Sequence, residues 1–283
     1  MLPGRAGGWS EPEFIGRYPV SVSCVDASFC VAVTDEGSAL MYDGDGWSAR
    51  TVVDDVALNS VSCTTRTFCV AVAKEGLAYT YNGSRWSKPE TIDTAANVLY
   101  AVSCSSTKFC MAIDLHAHVI QFNGRRWSNP TVIANNVLST VSCTSRTFCM
   151  VLGDGSSAYR FNGSTWESAG YTGDEVKDFS VSCASSHFCA SAGRKTSIYD
   201  GASWGHTTRL ERNDGGLSAV SCPSRTFCAL INTSGGAYLF DGVGWGPRTR
   251  IDTREYAEAS VSCPSKDFCA AVNTRGNAVF YRS

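Results

Sequence analysis

A single motif recurs seven times along this chain and leaves few folds open to it. The triplet Val-Ser-Cys places a cysteine at Cys24, Cys63, Cys104, Cys143, Cys183, Cys222 and Cys263. Six positions later a second cysteine follows, at Cys30, Cys69, Cys110, Cys149, Cys189, Cys228 and Cys269, each preceded by phenylalanine. The period is 39 to 41 residues, and all 14 cysteines and all seven tryptophans fall on it. Inside one unit, Cys69-Val70-Ala71-Val72 and Ala78-Tyr79-Thr80-Tyr81 are short, β-branched or aromatic, and bounded by turn residues, as strands are. Asn82-Gly83 after the second run suits a tight hairpin needing positive φ, and Asx-Gly pairs stand at the same place in five other units. No apolar pattern at helical spacing is sustained. Each unit reads as a four-stranded meander: strand A ends at Val-Ser-Cys, B carries Phe-Cys-x-Ala, C ends at Tyr or Phe, and D starts at Trp.

Four strands in about 40 residues is the period of a propeller blade. In strand B, small residues (Cys69, Ala71) alternate with larger ones (Phe68, Val70, Val72), so both faces are expected to be buried against neighbours. The termini argue for closure. The last unit stops at Tyr281-Arg282-Ser283, where the others continue to Trp, while Trp9-Ser10-Glu11-Pro12-Glu13-Phe14-Ile15 matches Trp86-Ser87-Lys88-Pro89-Glu90-Thr91-Ile92. The expected fold is therefore an all-β, seven-bladed β-propeller of four-stranded antiparallel blades. Residues 1–283 form one domain in this reading, and residues 9–16 complete the last blade, 259–283. The sequence resembles disulfide-bearing seven-bladed propellers of a kind common in actinobacterial proteins, through its Ser-Val-Ser-Cys, Phe-Cys-x-Ala-Val and Tyr-Asx-Gly-x-x-Trp elements. That resemblance covers essentially the whole chain and implies an architecture; it transfers no functional residue, because propellers serve many functions.

The repeated C-x5-C lacks the C-x2-C spacing of zinc sites. A short A–B hairpin brings each pair within bonding distance, so the expected bridges are Cys24–Cys30, Cys63–Cys69, Cys104–Cys110, Cys143–Cys149, Cys183–Cys189, Cys222–Cys228 and Cys263–Cys269. The alternative is free cysteines acting as small core residues in a reducing compartment. Bridges imply a secreted or extracytoplasmic protein. Met1-Leu2-Pro3-Gly4 is not a signal peptide, so a secreted form would have lost its leader. A net charge of −2 without a basic run argues against nucleic acid, and no apolar stretch is long enough for membrane insertion.

Departures from the repeat point to function. The A–B and C–D connections are constant in length, whereas Trp to the next cysteine runs from 15 to 18 residues, and the B–C interval of 12 falls to 10 in blade 5. In an antiparallel meander the D–A and B–C loops share one face, and variable loops on a constant scaffold carry function. The candidates on that face are His116 and His118 in the B–C turn of blade 3, Arg194 and Lys195 in the shortened turn of blade 5, and Asp174, Glu175, Arg212, Arg254, Glu255 and Tyr256 in the long D–A loops. The two histidines would point the same way on an extended segment, but no third ligand accompanies them, since His187 belongs to the opposite face and His206 to strand D. No metal and no cofactor are expected. Asp43-Gly44-Asp45-Gly46 is read as a turn rather than a calcium loop. The tryptophans are read as packing between blades, with sugar stacking as the alternative. The function expected is a carbohydrate-binding, lectin-like module, or a scaffold recognising an extracellular protein; the alternative is an enzyme (lyase, glycoside hydrolase or cyclase) with one site at the channel mouth.

Overall fold

The computed structural model describes residues 7–95, 97–173, 180–210, 216–252 and 259–283. The described residues are all-β: seven antiparallel sheets succeed one another along the chain, with two single-turn 3₁₀ segments among them, Lys74–Gly76 and Asp154–Ser156, in B–C turns. Blade 1 consists of Pro19–Asp26, Phe29–Thr34, Ser38–Tyr42 and Thr51–Val52, paired in that order. Blades 2 to 6 repeat the order. In blade 5 the outer strand shrinks to bridges from Tyr199 to Trp204 and from Thr196 to Thr208. The last blade, Ala259–Ser265, Phe268–Asn273 and Asn277–Arg282, takes its outer strand from the other end of the chain: Trp9 pairs with Tyr281, and Phe14 with Asn277. The interlock read from the termini is therefore present.

The Ser-Val-Ser-Cys element is explained by the ring. Strands A surround the axis, each packing on the next, with Ala259–Ser265 against Pro19–Asp26 closing the circle. In every blade the cysteine N–H donates to the Oγ of the serine before the cysteine of the preceding blade, at 2.9–3.0 Å. The closing bond is Cys24 N–H to Ser262 Oγ, 2.9 Å. A second hydroxyl, two residues earlier, accepts from the valine N–H at five junctions, from Ser21, Ser60, Thr140, Ser180 and Ser260. Blades 3 and 6 have Ala101 and Ala219 there. The side chains thus supply the inter-blade hydrogen bonds that separate sheets cannot make through backbone alone.

The apolar core is divided among the junctions. Seven clusters of buried residues each join two adjacent blades, for example Val22, Cys30 and Tyr42 with Phe268, Ala270 and Phe280. Strand B is buried along its whole length in blade 1, as its alternation of small and large residues suggested. All seven expected disulfides are formed, with Cα–Cα separations of 3.9–4.1 Å. The Asx-Gly hairpins turn over the A–B hairpins. Gly83 has φ 95°, and a Cβ there would sit 2.8 Å from Thr67 Cγ2, so both conformation and space require glycine. Asp43 Oδ1 accepts from the N–H groups of Asp45 and Gly46, making Asp43–Gly46 a turn.

Candidate functional site

Because the strands A converge at the axis, their first halves and the B–C turns enclose a funnel of about 580 Å³ on the variable-loop face. Every blade contributes to its wall, through Ser21, Ser60, Tyr100, Thr140, Ser180, Leu217 and Ser260. Its chemistry follows from the repeat. The hydroxyls of Ser21, Ser60, Thr140, Ser180 and Ser260 use an oxygen lone pair to accept a backbone N–H of the next blade. Each O–H proton is left as a donor. The wall is otherwise close to neutral: Asp35 is the one carboxylate among the described residues lining it. Partial burial, and then the neighbouring Glu36, push the Asp35 carboxyl above its ordinary range, against a smaller opposing effect of Lys74.

The structure places the candidate residues unevenly. Arg194 is exposed and Lys195 half-buried, in a bend where Gly193 N–H donates to the Lys195 carbonyl at 3.0 Å; neither lines the funnel. Asp174, Glu175, Arg212, Arg254, Glu255 and Tyr256 lie outside the described residues. His116 and His118 are not side by side on an extended segment, because Ala117 between them has φ 66°. That turn leaves His116 exposed and carries His118 inward, where its Nδ1 lies 2.7 Å from Asp114 Oδ2. Asp114 is fully buried, as is Asp93, two residues past the preceding blade's outer strand. These three are the one group of potential metal ligands among the described residues, with ligand atoms within 4.8 Å of one another. The sequence did carry a signal for the carboxylates: Asp93 stands seven residues past its tryptophan, as Asp54 and Asp252 do.

On the opposite face a depression of about 620 Å³ lies between blades 4 and 5, bordered by Arg160, Asn162 and His187. Arg160 is occupied there, donating to Tyr199 Oη and Glu167 Oε2. The tryptophans are half-buried and pack on their blades. Each ring lies 5.2–5.6 Å, centroid to centroid, from the Tyr or Phe that ends strand C of its own blade. Trp47 also stacks on Phe280 of the neighbouring blade.

No family model matches the chain. No curated protein matches it either. Solved structures do. "YCF48 bound to D1 peptide" superposes with a TM-score of 0.78 at 15% identity, covering 97% of each chain. "YCF48 from Cyanidioschyzon merolae" superposes with a TM-score of 0.75 at 10% identity, covering 98% of this chain and 99% of the other. The likeness is one of fold. It extends over the whole ring.

Proposed function

We propose that this chain is a non-catalytic recognition module holding one ligand per molecule in the axial funnel, and that the ligand is an extended polypeptide segment. The observation that carries this is the single funnel to which all seven blades contribute. A multivalent lectin would instead repeat a pocket at each junction, and the aromatic platforms for it would be tryptophans that here pack against their own blades. Extended backbone offers carbonyl oxygens in series, which suits a ring of hydroxyl donors, and Tyr100 at the wall, 37% exposed, adds an aromatic surface. That a propeller of the same architecture is described as bound to a peptide supports the ligand class. Seven disulfides support an extracytoplasmic location, so the partner is an extracellular or envelope protein.

The test is selection of binders from a displayed library of random, unstructured peptides, run beside a glycan array, with stoichiometry by calorimetry. One peptide per chain is expected, with binding lost in Thr233→Trp, which fills the funnel mouth from a turn. Several equivalent glycan sites per chain, or peptide binding untouched by Thr233→Trp, would overturn the proposal.

A further inference from the structure

Two residues beyond three of the outer strands, and seven after the tryptophan, stands an aspartate: Asp54, Asp93 and Asp252. Each of these side chains reaches across to the next blade. Asp54 Oδ2 accepts from the Tyr79 hydroxyl at 2.9 Å. Asp252 Oδ2 accepts from Asn273 Nδ2 at 3.1 Å and Asn277 Nδ2 at 2.9 Å. Asp93 differs. Its Oδ1 accepts from Ala95 N–H at 2.9 Å, but its Oδ2 is buried with no hydrogen-bond partner, in a residue 1% exposed.

The reason lies in the facing blade. The two repeat positions held by Asn273 and Asn277 in blade 7 are held by Asp114 and His118 in blade 3. An amide there donates to the incoming carboxylate; a second carboxylate cannot. Asp114 is itself held firmly. Its Oδ1 accepts from the N–H groups of His116 and His118, each at 2.8 Å. Its Oδ2 faces Asn97 Nδ2 at 3.0 Å and His118 Nδ1 at 2.7 Å. Two buried carboxylates thus converge on one imidazole, with ligand atoms of all three within 4.8 Å of one another. Buried charge of one sign needs a counter-charge or a donor, and the orphan Oδ2 of Asp93 has neither a donor nor an ion pair.

We propose that Asp93, Asp114 and His118 bind a divalent transition-metal ion of the zinc class at the junction of blades 2 and 3. Two carboxylate oxygens with one imidazole nitrogen suit Zn²⁺, whereas calcium sites are built of oxygen alone and soft ions prefer sulfur. The His118 side chain is 23% exposed, so water can fill the remaining coordination position. Asn97, bonded to Asp114, is the positioning residue behind the ligands. Binding displaces to solvent any proton held by the coordinating nitrogen and ties the outer strand of blade 2 to the B–C turn of blade 3.

The test uses the whole oxidised chain, freed of metal by a chelator and titrated with Zn²⁺ in a calorimeter, with Co²⁺ as the spectroscopic probe. One ion per chain is expected, with a melting temperature that rises with added Zn²⁺. Asp93→Asn should abolish both effects, His116→Ala should leave them intact, and Asn97→Ala should weaken binding by about 10-fold. The double variant Asp114→Asn/His118→Asn rebuilds the blade 7 arrangement around Asp93. It should fold, bind no ion and melt, without metal, at or above the temperature of the ion-free parent. Absence of a bound ion at saturating Zn²⁺, or binding undiminished by Asp93→Asn, would overturn the proposal.

Discussion

Side chains at equivalent places in the repeat do different work according to the residue they meet. At the C–D hairpins, Asp43, Asp200 and Asp241 each accept two backbone N–H bonds from their own turn. These bonds, first from Gly46, Ser203 and Gly244, hold the three carboxyls below their ordinary value. A carboxyl lowered in the folded state stabilises it above the unfolded pKa, and that stabilisation is lost as pH falls through the folded value. Melting temperature should therefore drop as pH falls below about 4. Asn82, Asn123 and Asn162 make the same turn bonds without a charge. The triple variant Asp43→Asn/Asp200→Asn/Asp241→Asn should accordingly melt slightly below the parent at neutral pH and lose less in acid, so that the two converge as pH falls, as melts across the acid range would show. The limit of sequence reading also shows at this scale. His118 stood out because its turn had lost the usual glycine. Asp93 did not, because an aspartate just past an outer strand becomes unusual only beside Asp114, on another blade.

Strands are joined into blades by the backbone, and blades into a ring by hydroxyls. The Ser142 Oγ bond to Cys183 N–H spans one junction at 3.0 Å. Ser142→Ala would leave that N–H without its acceptor beside the axis, at a cost of about 1–3 kcal/mol, measurable by denaturant titration. The chain already omits the outer hydroxyl of the pair at Ala101 and Ala219, so substitution of that one should be the milder. Each disulfide closes a loop of separation six, short enough that its removal costs about 2 kcal/mol or less in the loop-entropy account. Seven losses together should be large, and the melting temperature should fall by many degrees in strong reductant. A melt unchanged with every thiol titratable would show the bridges to be dispensable. The strands, hairpins and bridges were legible because they recur. The reduced outer strand of blade 5 was foreshadowed only by its shortened B–C interval, and the serine contacts not at all, since they join residues one full repeat apart.

At the scale of the whole molecule, closure is the property on which the rest depends. Removal of residues 7–14 would uncover the edge of Asn277–Arg282 and unpair Trp9 from Tyr281. Such an edge invites association, so the truncated chain should melt lower and associate with rising concentration, as sedimentation would report. The ring was readable from the matching of the two termini, and loop lengths singled out the face on which the funnel opens. What lines the axis was not readable, because a funnel is made by convergence of seven strands rather than by any run of residues. The account's central claim is that recognition occurs at that convergence. The most direct measurement is photo-cross-linking by a selected peptide carrying a benzophenone, with adducts mapped by mass spectrometry. Adducts on the segments holding Asp35, Tyr100, Thr233 and Thr274 around the funnel mouth are the expected result. Adducts confined to the outer strands or to the opposite face, around Arg160 and His187, would contradict it.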